Sequence, residues 1–190
     1  MGLASRRGRV GLTWQRCAGV VPCDHGRSCR VNIVVAARGE IKVGDAFPLL
    51  NAPGMTNLAG GDLPVVAGKV VLVDFWASWC APCKASFPAM GRLHQAFSAQ
   101  GLVVVAISVD DKPAAATAFW KRLAPPFATL HDRDRSLVEQ VIVPAMPTSY
   151  LVGRDGRVRF IHRGFRGEAT ERELREQVQI LLTETLTSTP

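Results

Sequence analysis

The stretch from Val70 to Lys84 constrains the fold of this chain more than any other. It reads V-V-L-V-D-F-W-A-S-W-C-A-P-C-K, an apolar run with one acid that leads into two cysteines. The run is short, rich in β-branched residues and followed by a segment compatible with a helix. It therefore predicts a buried strand that leads into a helix, with Cys80 at the helix N-terminus and Cys83 about one turn inside it.

Two cysteines at the start of a helix predict redox chemistry. Free backbone N–H groups and the positive end of the helix dipole favour a thiolate there, and a C-x-x-C motif at such a site lowers a cysteine pKa. Cys80, framed by Trp79 and Pro82, is the expected nucleophile, and Cys83 is expected to resolve the mixed disulfide that Cys80 forms. A disulfide between two residues three apart on one helix face is sterically reasonable.

Asp74 is a carboxylate in an otherwise apolar strand and is expected to point toward the helix start. Burial without a partner would raise its pKa, which would suit it to exchange a proton with Cys83. The alternative is an ordinary polar residue at a strand end with a water or backbone partner. The sequence does not separate these two interpretations.

Metal and haem sites are disfavoured by the residues around the cysteines. A structural zinc ion needs four ligands, and the domain has no second C-x-x-C; covalent haem attachment requires C-x-x-C-H, and position 84 is Lys84. Nearer the N-terminus, the spacing of Cys17, Cys23, His25 and Cys29 matches no common zinc pattern. We therefore expect no metal and no cofactor apart from a redox-active Cys80–Cys83 disulfide.

The net charge of +7 is concentrated at the N-terminus. Residues 1–38 hold seven arginines and one acid, whereas residues 39–190 hold 16 basic and 15 acidic residues. A nucleic-acid-binding face on the domain is therefore not supported.

Residues 1–38 are predicted to be a basic leader or a disordered tail, and no apolar stretch of an export signal follows the arginines. Residues 39–190 are predicted to form one domain.

The rest of the chain predicts the order β-α-β-α, then a β-hairpin, then a helix, which is an α/β fold with a mixed sheet and helices on both faces. The charged run from His131 to Arg135 is predicted to be a solvated loop, with His131 at the surface. The other predicted elements are a strand at Leu102–Ser108, helices at Pro113–Leu123 and Leu137–Val141, and a hairpin that turns at Asp155-Gly156.

The stretch Val73–Lys84 is similar to the active-site segment of the thioredoxin superfamily, and Met146-Pro147-Thr148 resembles its cis-proline loop. The fuller pattern, with Phe87-Pro88 and the run 148–156, resembles the TlpA/ResA-like thiol–disulfide oxidoreductases over roughly residues 41–186. The resemblance implies a thioredoxin-like fold for the domain at 39–190.

The resemblance also implies roles for individual residues. Cys80 would attack and Cys83 would resolve, while Pro147 would be cis and packed against the disulfide. The backbone of Met146 would pair with an extended substrate segment. The residues expected at the substrate surface are Trp79, Pro82, Met146 and Thr148.

Family members are usually exported and face the oxidising side of the bacterial inner membrane. Many keep chosen cysteines reduced during cytochrome c maturation or copper-site assembly, with electrons from a membrane thiol transporter. The resemblance thus implies a periplasmic or other extracytoplasmic reductase that acts on protein disulfides, although the weak leader also allows a cytoplasmic location. Two departures bear on the substrate: Ser86 stands where many such reductases have glutamate, and Asp74 matches thioredoxin where many relatives have asparagine.

Three other functions stay open. A thiol peroxidase needs a threonine three residues before its reactive cysteine, where this chain has Ala77. A non-catalytic binding module would use the apolar surface around Trp79, Pro82 and Pro147. A general cytosolic thioredoxin is favoured by Asp74 and by the missing export signal, but the longer chain with its entry segment disfavours it.

Overall fold

The computed structural model describes residues 19–22, 28–31, 39–48 and 50–184 of the 190-residue chain. The chain divides into two units, residues 1–36 and 37–190. In the first unit the backbone of β1 (Gly19–Pro22) pairs antiparallel with β2 (Ser28–Val31). Most of the predicted leader or tail, including Cys17, Cys23 and His25, lies outside the described residues.

The second unit carries the alternating strands and helices that the sequence predicts. It also has two further strands, at Met55–Asn57 and Ala128–Asp132. The first elements are β3 (Met55–Asn57), β4 (Val70–Trp76), α1 (Ala81–Phe97), β5 (Leu102–Ser108) and α2 (Pro113–Leu123). The following ones are β6 (Ala128–Asp132), α3 (Ser136–Val141), β7 (Thr148–Val152), β8 (Val158–Arg163) and α4 (Glu168–Thr183). None of the helices in the described residues is both long and apolar enough to cross a membrane.

Strands β3 to β8 form one mixed sheet in the order β3-β6-β5-β4-β7-β8. Strand β5 is parallel to both β4 and β6, while β7 is antiparallel to β4 and to β8. All seven residues of β4 are buried, because the strand is central and covered on both faces. This explains its nearly continuous apolar run. The predicted α/β class with a central mixed sheet is confirmed.

Side chains of β4 alternate between two layers. Trp76 packs on Phe87 of α1 and Phe119 of α2, with ring centroids 5.2 and 4.5 Å apart. Asp74 lies two residues before Trp76 and therefore faces the same layer of helices, under α1. The helix that begins with the cysteines is thus packed directly over the face that carries the buried acid.

The opposite face of the sheet is covered by residues 39–48 and 50–68 and by α3. Phe75 contacts Tyr150 of β7, and Tyr150 contacts Phe47, with ring centroids 6.0 and 5.4 Å apart. The N–H of Ile41 bonds the carbonyl of Val141 at the end of α3. These contacts close the second half of the core.

Strand β6 was not predicted, and the expectation of a solvated loop from His131 is wrong for its first two residues. His131 and Asp132 are only 1% exposed and lie in β6. Nε2 of His131 bonds the carbonyl of Asp110 at 2.8 Å. The Asp132 carboxylate accepts the N–H groups of Leu137 and Val138 at the start of α3. Charged residues favour loops on average, but these two are buried, and each has a hydrogen-bonding partner.

The aromatic packing over β4 predicts a large loss of stability when Phe119 is truncated. The Phe119 ring is 2% exposed and contacts both Trp76 and Phe87, so Phe119→Ala should lower the free energy of unfolding by about 3–5 kcal/mol. Leu123→Ala on the same helix, where Leu123 is 38% exposed, is the matched control and should cost less than about 1 kcal/mol. Urea unfolding measures both, and equal losses would contradict this packing.

Candidate active site

The two cysteines lie where strand β4 passes into helix α1. After Trp76 the chain turns through Ser78 and Trp79, and α1 begins at Ala81 with Cys80 as its N-cap. Proline is tolerated in the first helical turn, because the N–H that it lacks has no partner inside the helix. Cys80 and Cys83 form a disulfide with Cα atoms 5.3 Å apart, in the position that the sequence predicts.

The helix start favours negative charge on Cys80. Its Sγ accepts a hydrogen bond from the N–H of Cys83 at 3.2 Å, one of the donors of the first turn that have no partner within the helix. The same donor and the helix dipole would stabilise a thiolate at this sulfur after reduction. No acidic residue lies in the first turn to oppose it. Cys83 has no exposed surface whereas Cys80 is 4% exposed, so Cys80 is the cysteine that a partner can reach.

Cys80 opens into a cleft without charged side chains. Its walls come from the turn before α1 and from the loop before β7, namely Trp79, Cys80, Ala81 and Pro82 on one side and Val143, Pro144, Ala145 and Met146 on the other. The Met146–Pro147 peptide bond is cis, as the resemblance implies. The Trp79 side chain is strongly exposed, at 71%.

The expected substrate residues divide into two groups. Trp79, Pro82 and Met146 line the cleft. Thr148 is fully buried, and its hydroxyl donates to the carbonyl of Ala145 at 2.7 Å. Its side chain therefore supports the cleft wall from within. Pro147 is also buried, directly after the wall residue Met146.

Asp74 is fully buried and has one hydrogen-bonding partner. Its Oδ1 accepts the hydroxyl of Ser149 at 2.5 Å, and its Oδ2 is buried with no partner in the described part of the chain. Burial raises the pKa of Asp74 to about 7, against a smaller lowering by the Ser149 hydroxyl. The carboxyl can therefore hold or release a proton near neutral pH, which is the behaviour expected of a buried acid here.

A second buried acid at this edge of the sheet, Asp110, was missed from the sequence. Its carboxylate accepts the N–H of Ser78 at 3.0 Å, the hydroxyl of Ser78 at 2.7 Å and the hydroxyl of Ser108 at 2.8 Å. These bonds fix the turn that precedes Trp79 and Cys80. Ser78 and Asp110 each follow one of two adjacent parallel strands, whose carboxyl ends meet at one edge of the sheet. That placement was a signal from which their contact could have been predicted.

The position three residues after Cys83 carries a neutral side chain. Ser86 is buried, and its hydroxyl donates to the carbonyl of Cys83 at 2.9 Å. Within the described residues, no group of three or more His, Cys, Asp or Glu side chains could hold a metal ion. Asp74, on the neighbouring strand β4, is buried and has a raised pKa.

The raised pKa of Asp74 predicts that this residue destabilises the fold as pH rises. Its pKa in the folded state is about 7, above the value near 3.8 expected in the unfolded chain, so the folded state holds the proton more tightly between these values. The contribution of Asp74 to stability is then greatest below about pH 3.8, and about 4 kcal/mol of it is lost as pH rises from there to about 7. Asp74→Asn, which stays neutral, should therefore gain stability relative to the parent chain over this range.

Urea unfolding from pH 4 to pH 8 measures this difference. Asp62→Asn controls for the loss of one carboxylate, since Asp62 is exposed on a loop. A difference between the Asp74→Asn and parent proteins that stays constant with pH would contradict the assignment.

The chain matches the Redoxin family over residues 42–178. It is 32% identical over 127 residues to the thiol-disulfide oxidoreductase ResA of Bacillus subtilis, a match that covers 67% of this chain and 70% of the relative. Among solved structures, it is similar to a Chlorobium tepidum protein assigned as thiol:disulfide interchange protein DsbE. That match has 34% identity and a TM-score of 0.66, and it covers 75% of this chain and 99% of the other.

A further solved structure, assigned as a protein disulfide isomerase from Bacteroides thetaiotaomicron, shows the fold alone. It is 20% identical with a TM-score of 0.66 and covers 76% of this chain and 92% of the other. The Redoxin match extends over most of the chain and includes both cysteines and the cis-proline loop. The chain therefore belongs to the redoxin family and is a thioredoxin-fold relative of the ResA-type thiol–disulfide oxidoreductases.

Proposed function

We propose that this protein reduces disulfide bonds in other proteins by cycling Cys80 and Cys83 between dithiol and disulfide. As a ResA-type redoxin it is a thiol–disulfide oxidoreductase whose substrates are protein thiols and disulfides. The observation that carries the proposed site is the placement of Cys80. Its sulfur receives the N–H of Cys83 at a helix start and lies in an uncharged, open cleft.

The reaction takes two exchanges. The Cys80 thiolate attacks one sulfur of the substrate disulfide; that S–S bond breaks, one substrate sulfur leaves as a thiolate and takes up a proton, and a mixed disulfide forms. Cys83 then loses its proton and attacks Sγ of Cys80, which releases the second substrate sulfur and forms the Cys80–Cys83 disulfide. Two electrons pass from the dithiol to the substrate.

Asp74 is the group that we assign to the proton of Cys83. Attack by Cys83 requires a thiolate, and this cysteine is fully buried, so water has little access to its proton. Asp74 faces the helix layer that carries Cys83, and its pKa of about 7 makes its carboxylate a suitable acceptor at neutral pH.

The substrate segment is proposed to lie extended across the cleft. Within the described residues, the backbone N–H and C=O of Met146 make no hydrogen bond to other backbone groups, so both can pair with a peptide strand. Trp79 and Pro82 offer apolar surface on the other wall. This arrangement favours uncharged residues beside the substrate cysteine, since a charge placed there would lose water without gaining a partner.

We further propose that the substrates are exported proteins, of the kind handled in cytochrome c maturation or metal-site assembly, and that the protein acts outside the cytoplasm. The resemblance to TlpA/ResA-like proteins supports this. Each cycle leaves the protein oxidised, so it needs a thiol donor, for which the same resemblance indicates a membrane thiol transporter. The donor would approach the same cleft, because Cys80 is the reachable sulfur.

The order of attack predicts which single variant is trapped on a substrate. Cys83→Ala should accumulate a mixed disulfide with a peptide that contains an internal disulfide, because nothing then resolves the Cys80 bond. Cys80→Ala is the matched control and should form none at the active site, since Cys83 is buried. Intact mass followed by peptide mapping identifies the linked cysteine and separates it from Cys17, Cys23 and Cys29. Linkage through Cys83 in the control would overturn the assigned order.

The proposed direction predicts a low reduction potential. The disulfide of such a cysteine pair is a strong oxidant only when the protein stabilises the reduced dithiol. Here the spacer residues Ala81 and Pro82 are uncharged, and the buried Asp74 would oppose further negative charge nearby. We expect a potential near or below about −270 mV, measured by equilibration with dithiothreitol or glutathione. A value near about −120 mV would indicate a disulfide-forming oxidase instead.

A further inference from the structure

Strand pairing brings Ser149 to Asp74. The two residues are directly opposite each other in the antiparallel ladder between β4 and β7. Side chains opposite in register share one face, so the Ser149 hydroxyl is held beside the carboxyl and bonds Oδ1 at 2.5 Å. Ser149 is itself buried, at 8% exposure. This bond is therefore set by the sheet, with little freedom for either side chain to turn away.

The other groups packed around this pair are mostly neutral. Strand β5 places Ala106 opposite Asp74 on its other side, and α1 contributes the cysteine pair above. Strand β8 places His162 opposite Ser149. The His162 ring is engaged by α4, where Nε2 bonds Oε1 of Gln177 at 2.7 Å and Nδ1 lies 3.6 Å from Glu173. Within the described residues, Ser149 is thus the polar side chain that acts directly on Asp74.

We propose that Ser149 is a positioning residue for Asp74: its hydroxyl holds Oδ1 and leaves Oδ2 as the oxygen that accepts and releases the proton exchanged with the cysteine pair. Asp74 is fully buried, and Oδ2 has no partner in the described part of the chain. A hydroxyl can donate only one hydrogen, so the second oxygen stays available. The proton exchange in this inference rests on the proposed redox function, whereas the bond between Ser149 and Asp74 does not depend on it.

The hydroxyl also decides how much of the acid is ionised at neutral pH. A donor to the carboxylate favours the charged form and lowers the pKa of Asp74, against the larger effect of burial. Without the hydroxyl, the carboxyl would hold its proton to higher pH and could not accept one from Cys83. Ser149 comes two residues after Pro147, so the strand that follows the cleft wall also controls the proton acceptor.

The test compares Ser149→Val with Ser149→Thr in the full chain. Both replacements are β-branched, suit a strand and have nearly the same shape, so they differ at this site chiefly in the hydroxyl. The titration of Asp74 is followed by carboxyl carbon NMR in the disulfide form, with Asp74→Asn to identify the signal. We expect Ser149→Val to raise the titration midpoint by about one pH unit and Ser149→Thr to keep it near that of the parent chain.

Ser86→Ala is the matched control, because it removes another buried hydroxyl near the cysteines that bonds the Cys83 carbonyl and not Asp74. It should leave the Asp74 midpoint unchanged. Equal midpoints in the Val and Thr variants, or a shift in the Ser86→Ala variant as large as that in Ser149→Val, would overturn the inference.

The second readout is the pH profile of peptide disulfide reduction. The rising limb near neutral pH should move upward with the NMR midpoint in Ser149→Val and return in Ser149→Thr. If the NMR midpoint shifts in Ser149→Val but the parent chain reduces no protein disulfide, the proposed function is refuted and the Ser149–Asp74 assignment stays in place. An NMR shift without any shift of the rate profile would refute the role of Ser149 in proton exchange.

Discussion

Burial of β4 on both faces is the constraint on which the rest of this structure depends. A central strand with no exposed residue must be paired on both edges and covered by helices or loops, which fixes β5 and β7 beside it. Because α1 returns over the same strand, its N-terminus lies at the carboxyl end of β4. Packing of Trp76, Phe87 and Phe119 holds α1 against the face of the sheet on which Asp74 lies.

The two buried acids at this edge show how environment separates chemical from structural roles. Asp110 accepts bonds from two donors of Ser78 and one of Ser108, so its oxygens are occupied and it serves as an anchor for the turn. Among the described residues, Asp74 accepts one bond, and its other oxygen has no partner. An aspartate thus anchors a backbone turn at position 110, whereas the aspartate at position 74 keeps an oxygen that could carry a proton.

Local patterns predicted most of the elements, because the helix at the cysteines, the strand Leu102–Ser108 and the Asp-Gly hairpin are each specified by adjacent residues. Local patterns did not predict burial or contacts that depend on partners distant in the sequence. His131 and Asp132 carry the composition of a loop, and only their bonds to Asp110 and to α3 make burial in β6 tolerable. The Ser149–Asp74 contact likewise depends on the register between β4 and β7, which neither segment encodes alone.

The burial of Asp74 suits this residue to its proposed role in proton exchange and also lowers the stability of the fold. A buried acid with one bonded oxygen is less stable when ionised than an exposed acid would be, and each step in pH toward 7 adds to that penalty. A carboxyl with both oxygens bonded, as in Asp110, would have no oxygen left for a proton from Cys83. With Ser86 neutral on the helix above, Asp74 is the proton acceptor that we propose, and the surrounding core must supply the stability that its burial removes.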